Sequence, residues 1–171
     1  MSSFKPHVLI VVALLSLGGC GFSPVYAKND SQPAMQAQLE NVEVGMIADR
    51  EGQRLRNALL DQMGSTTAAS AGQRYFLRIY NLRQDDQAFG VRKDASATRG
   101  DITVTADMEL IDTQTNTVVL KRALRTRGGY NRMDNLYGAQ VSKEDTTDRL
   151  LDEMAERAVT ELTLHFNRQK N

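Results

Sequence analysis

Reactive side chains are scarce in this sequence: one cysteine, two histidines and three prolines occur among 171 residues, and 21 lysines and arginines are matched by 21 aspartates and glutamates. A single thiol can form neither a disulfide within the chain nor a cysteine cage for a metal. With only His7 and His165, the Ser/His/Asp, Cys/His and histidine-rich metal chemistries have almost no parts to work with. Balanced charge argues against a general nucleic-acid binder, because neutralising phosphates takes a basic excess. These shortages predict a protein that is not an enzyme, with no catalytic residues, no metal ligands and no cofactor. Long apolar runs are missing too. The one apolar stretch, Val8–Leu17 (VLIVVALLSL), falls well short of the roughly 20 residues that a membrane-crossing helix needs.

That short run is what makes the lone cysteine informative. Lys5 precedes the run, and Leu17-Gly18-Gly19-Cys20 ends it, the pattern of a bacterial lipoprotein signal peptide. Gly18 and Gly19 have no bulk to block a peptidase. In lipoproteins the cysteine thiol receives diacylglycerol and the freed amine a third acyl chain, giving an N-palmitoyl, S-diacylglycerol Cys20 whose three chains anchor stably where one would not. A plain secreted protein whose signal happens to end near a cysteine is the plainer alternative. By analogy with enterobacterial sorting, Gly21 in place of an aspartate after the cysteine favours the outer membrane, with the protein lipid-anchored on its periplasmic side. Cleavage would remove His7 and Lys5 and leave enough chain for one domain with a real core.

Three segments follow: a signal peptide over 1–19, a lipidated tether over 20–38 and a folded domain over 39–171. The tether (GFSPVYAKNDSQPAMQAQ after the cysteine) holds Pro24 and Pro33, few apolar residues and no period. Val42, Val44 and Met46 then alternate with polar neighbours as a first strand within 39–46. Asp49 is a candidate N-cap for a helix carrying Leu55, Ala58, Leu59 and Met63 on one face and stopping at Gly64. After a small polar loop from Ser65 to Gly72, Tyr75, Leu77 and Ile79 alternate as a second strand. Residues 83–99 read as a long polar loop. Ile102, Val104, Ala106, Met108 and Leu110 give five matches to period two, and Val118 to Arg127 returns as a fourth strand, closing an antiparallel hairpin. There Arg122 falls on the face of Leu120 and Leu124, which a bulge or a sheet edge could account for. Gly128-Gly129-Tyr130 ends that strand. Ser142-Lys143-Glu144-Asp145 resembles a capping box ahead of a long last helix with Leu151, Met154, Ala155, Ala158 and Leu162 on one face. His165 should lie at its surface or edge. The predicted fold is α+β: a two-layer sandwich of a four-stranded mixed sheet with two helices on one face, in the order β-α-β-β-β-α.

A symmetric hairpin closing near residue 114 would set Asp107 across from Lys121 and Asp101 across from Arg127, and would leave Arg125 facing Thr103. Arg99 and Arg132 would stand near the strand end without partners. Basic side chains free of acidic neighbours on a membrane-anchored domain suit an anionic lipid headgroup, so the candidate contacts are Arg92, Lys93 and Arg99, followed by Arg125 and Arg127. Solvated surface charge is the plainer reading, and Asp85, Asp86 and Asp94 in the same stretch favour it.

Several short matches, in order over nearly all of the mature chain, resemble the LptE family of lipopolysaccharide-assembly lipoproteins in its alphaproteobacterial form. They are Cys20-Gly21-Phe22 with Pro24 and Tyr26 (CGFSPVY), Arg54 to Leu59 (RLRNAL), the alternating third strand, the hairpin containing Asp112, and the run from Tyr130-Asn131 through Leu136-Tyr137 into the last helix. The resemblance implies a non-enzymatic plug and assembly partner of the outer-membrane barrel LptD that also binds lipopolysaccharide in transit to the outer leaflet. It makes Arg92, Lys93 and Lys143 the counterparts of the family's lipopolysaccharide-linked basic residues. The runner-up is an outer-membrane lipoprotein that activates a peptidoglycan synthase, which would need a longer reach than a short tether gives. A small-ligand-binding lipoprotein is a further alternative, one that would need a deep apolar pocket.

Overall fold

A computed structural model describes residues 38–64, 74–91, 97–132 and 135–170. The chain divides into Met1–Ser31 and Gln32–Asn171, and every described residue belongs to the second unit. Cys20, Arg92 and Lys93, the tether up to residue 37 and residues 65–73 lie outside the described residues.

The elements are β1 (Val42–Val44), α1 (Asp49–Met63), β2 (Tyr75–Val91), β3 (Ala97–Asp112), β4 (Thr117–Asn131) and α2 (Leu136–Lys170). The sheet runs β1-β2-β3-β4, with β1 parallel to β2 and the other pairs antiparallel. This is the predicted mixed sheet, with helices packed on it. Its inner face carries Leu77, Ile79, Ile102, Val104, Met108 and Leu110, all buried against Leu55, Leu59 and Met63 of α1 and Leu151, Met154 and Leu162 of α2. Each large aliphatic side chain taken from water contributes about 1.5–3 kcal/mol before entropy is counted. His165 is half-buried near the end of α2, its ring 5.7 Å from that of Phe166.

Helix α1 ends as expected, with Gly64 in the left-handed region (φ 64°) and its N–H turned back to Asp61 O. Its start differs. Ala48 occupies the N-cap with no side-chain bond, and Asp49 is the first helical residue, adding its charge with Glu51 at the positive end of the helix dipole. β1 is also shorter than predicted: the chain leaves the sheet after Val44, so Met46 is 80% exposed rather than buried.

The largest correction concerns residues 83–99. They are mostly strand, extending β2 to Val91 and starting β3 at Ala97. A bulge between Tyr80 and Arg83 explains why the sequence hid this. Asn81 takes a left-handed backbone (φ 54°) and donates from Nδ2 to Asp107 at 2.8 Å. The extra residue switches the faces. Leu82 packs against the core, and Gln84 and Asp86 follow it onto the inner face, so polar residues fall on both sides and the period-two signal vanishes.

The β3–β4 register lies two residues from the predicted one. Lys121 faces Glu109, Ala123 faces Asp107, Arg125 faces Thr105 and Arg127 faces Thr103, with a shift between Leu110 and Ile111. Strand β4 continues through Gly128 and Gly129 to Asn131. Helix α2 starts at Leu136, where Asn135 Oδ1 accepts from the Gly138 N–H, so Ser142 lies inside the helix and the capping box does not form. At 1.5 Å per residue α2 is about 52 Å long, close to the span of strands β3 and β4, against which it packs.

Candidate functional site

The outer face of the sheet is polar from strand to strand. Its best-organised feature is Glu109, only 5% exposed although it stands on the face that carries no helix. The guanidinium of Arg78 holds Oε2, while Tyr80 Oη donates to Oε1 at 2.8 Å and Lys121 Nζ pairs with it at 2.9 Å. Alternation puts all four side chains on one face, and the two ladders align three strands so that they meet. Arg78, Lys121 and Tyr80 outweigh the cost of covering the carboxyl, and its pKa falls to about 2. Further along the same face, Arg127 reaches diagonally to Asp101 at 2.6 Å. Arg125 forms no ion pair among the described residues and is exposed beside Thr105. Arg99, exposed at the far end opposite Asn131, forms none either.

On the inner face at the same end a polar network replaces the aliphatic core. Asp86 accepts from Tyr130 Oη at 3.0 Å and pairs with Lys143 Nζ at 2.9 Å. Burial pushes its pKa up, but the bonds from Lys143 and Tyr130 outweigh burial and hold the carboxyl below its usual range. Burial and the Asp86 charge together raise the Tyr130 hydroxyl. Gln84 Nε2 donates to Thr147 Oγ1 at 3.1 Å, and Thr147 donates to Lys143 O at 3.0 Å. Beside this network lies a cleft of about 540 Å³ between the edge of β2, the start of α1 and the first half of α2.

The predicted contact residues therefore separate. Arg125 and Arg127 share the outer face and Arg99 stands at its end, but Arg127 is engaged by Asp101. Lys143 belongs to the inner face, held by Asp86 rather than free. Sequence reasoning missed Glu109 and Asp86 as organising groups. The alternation of Arg78 and Tyr80 with Leu77 and Ile79 held part of the first signal; the pairing with Lys121 needed the register, and Asp86 needed the bulge.

A four-stranded mixed sheet, its inner face covered by helices and its outer face polar, makes this an α+β two-layer domain by architecture. No protein-family model and no curated protein matches the sequence. Solved structures do match the fold. A protein of Caulobacter crescentus CB15 assigned as a lipoprotein aligns with a TM-score of 0.62 at 20% identity, covering 77% of this chain and 95% of that one. Rare lipoprotein B of Shewanella oneidensis aligns with a TM-score of 0.60 at 8% identity, over 76% of this chain and 97% of that one. At these identities the shared property is the fold.

Proposed function

We propose that the chain acts as an LptE-like outer-membrane lipoprotein: anchored through an acylated Cys20, it serves as plug and assembly partner of the barrel LptD and binds lipopolysaccharide in transit. The observation that carries this reading is the outer sheet face. Arg78 and Lys121 are paired with Glu109 and Arg127 with Asp101, and threonines 103 and 105 lie between these two groups. Such a face suits the polar side chains lining a barrel lumen better than lipid. The fold shared with rare lipoprotein B is consistent with the same class. Among the predicted contact residues, Arg99 and Arg125 are the described ones without an ion pair, and Arg92 and Lys93 stand with them as candidates to meet phosphates.

Depletion of the protein tests the reading. Loss of folded LptD and of surface lipopolysaccharide is expected, with co-purification of the two proteins from detergent extracts. Intact levels of both after depletion would refute it. Cys20→Ser is expected to mislocalise the protein while the domain stays folded.

A further inference from the structure

We propose that the free edge of β2 around Gln84 and Asp86 is a strand-addition site for an extended segment of a partner protein carrying basic side chains. The proposal does not depend on the LptE-like reading.

Among the described residues, β1 covers β2 only from Tyr75 to Leu77 and no other strand lies on that edge, whereas β3 pairs with β2 along its length to Val91. On the β1 side, Tyr75 N donates to Asn41 O and Gly45 N donates to Leu77 O, so odd-numbered backbone groups face that edge there. The bulge at Tyr80–Arg83 adds one residue and switches the parity. Arg83 and Asp85 now face β3, and the N–H and C=O of Gln84 and Asp86 point off the sheet into the position that a longer β1 would fill. The other free edge is defended differently. β4 carries the like charges Lys121, Arg125 and Arg127 in one line, a usual protection against strand pairing, while the outer residues Arg83, Asp85 and Gln87 of β2 form no such line.

The cleft of about 540 Å³ opens directly beside that edge. Gln84 and Asp86 offer their backbones outward and also send their side chains into its wall, to Thr147 and Lys143. An added strand would gain main-chain bonds from the edge and place alternate side chains over the cleft. The charge of the lining selects them. Arg54 is held by Asp152 and Lys143 by Asp86. Glu51 and Glu144 have no ion pair among the described residues, and Asp148 meets Arg54 only at longer range. Arg50 alone is a basic group without an ion pair there, so lysine or arginine on the incoming strand is favoured.

The test uses the lipidated protein in detergent micelles and two fluorescein-labelled octapeptides, one alternating Lys and Val, the other Glu and Val. The Lys-Val peptide should bind about tenfold tighter or better and slow amide exchange at Gln84 and Asp86, by the hydrogen-bond and affinity scales that apply to edge pairing. Gln84→Pro removes an outward N–H and should weaken binding about tenfold, whereas Gln84→Ala keeps that N–H and should change binding by about twofold or less. Absent binding, equal binding of the two peptides, or unchanged exchange at 84 and 86 would overturn the proposal. So would undiminished binding by a folded Gln84→Pro variant, and if that variant unfolds, the exchange pattern of the unaltered protein decides.

Discussion

Tyr130 lies over Gly100, its partner across the β3–β4 ladder, and reaches on to donate its hydroxyl hydrogen to Asp86 of β2 at 3.0 Å. A β-carbon at residue 100 would collide with the ring, so the glycine is what lets one side chain tie three strands together. Lys143 then joins α2 to the same carboxylate. This polar tie closes the end of the sandwich where the aliphatic core has run out.

Gly100→Ala should therefore displace Tyr130 and destabilise the domain by about 1–3 kcal/mol, the usual cost of overpacking. Tyr130→Phe keeps the ring over the glycine and loses only the part-buried bond to the Asp86 carboxylate, a bond the displaced ring of the alanine variant would lose as well, so the smaller loss, about 1.5 kcal/mol, is expected. Urea unfolding of the two variants checks the order. A milder effect from the alanine than from the phenylalanine would contradict the contact.

Glu109 makes stability depend on acid. Its pKa is about 2 in the folded protein against an ordinary 4.5, so it stabilises the folded state fully above 4.5 and loses that contribution as pH falls through about 2. Glu109→Gln should lower the melting temperature at neutral pH, and the gap to the unaltered protein should narrow as pH drops from 4.5 towards 2. A gap independent of pH would show that the carboxylate charge is not what Arg78 and Lys121 hold.

Asn81 sets the parity of the far half of β2 through its left-handed backbone. Asn81→Gly keeps that conformation accessible, while Asn81→Val should cost about 1–2 kcal/mol more, because a β-branched residue is strained at positive φ. Thermal unfolding distinguishes them; equal melting temperatures would mean the bulge is not held there.

Arg125 and Arg127 are two residues apart on one face, but they differ in what they touch. Arg125→Glu should leave stability within about 0.5 kcal/mol, as for a surface residue without a partner, and should weaken binding to lipopolysaccharide aggregates in a co-sedimentation assay. Arg127→Glu also breaks the contact with Asp101 and sets two carboxylates together, so it should destabilise by up to about 1 kcal/mol more. Unchanged co-sedimentation for Arg125→Glu would remove that residue from the candidate set.

Where one residue alone decides its environment, the sequence was legible. The alternation from Ile102 to Leu110 and the helical spacing from Leu151 to Leu162 identified the buried faces of β3 and α2, because apolar side chains must leave water whatever surrounds them. Gly64 marked the end of α1 for the same local reason. The candidate site was less readable. A register error of two residues keeps every side chain on its face, so the outer face was recognised while the partners of Lys121, Arg125 and Arg127 were not.

The amino-acid sequence by itself determined the order of elements, the aliphatic core and the shortage of reactive groups, since these follow from composition and short-range periodicity. Only the tertiary structure decided that 83–99 is largely sheet, that Glu109 rather than Asp107 meets Lys121, and that Asp86 turns inward to Lys143 and Tyr130. For the first and third the reason is the bulge at Asn81, where a single inserted residue reverses every face after it and is held by a contact from another strand; for the second it is the β3–β4 register, with its shift between Leu110 and Ile111.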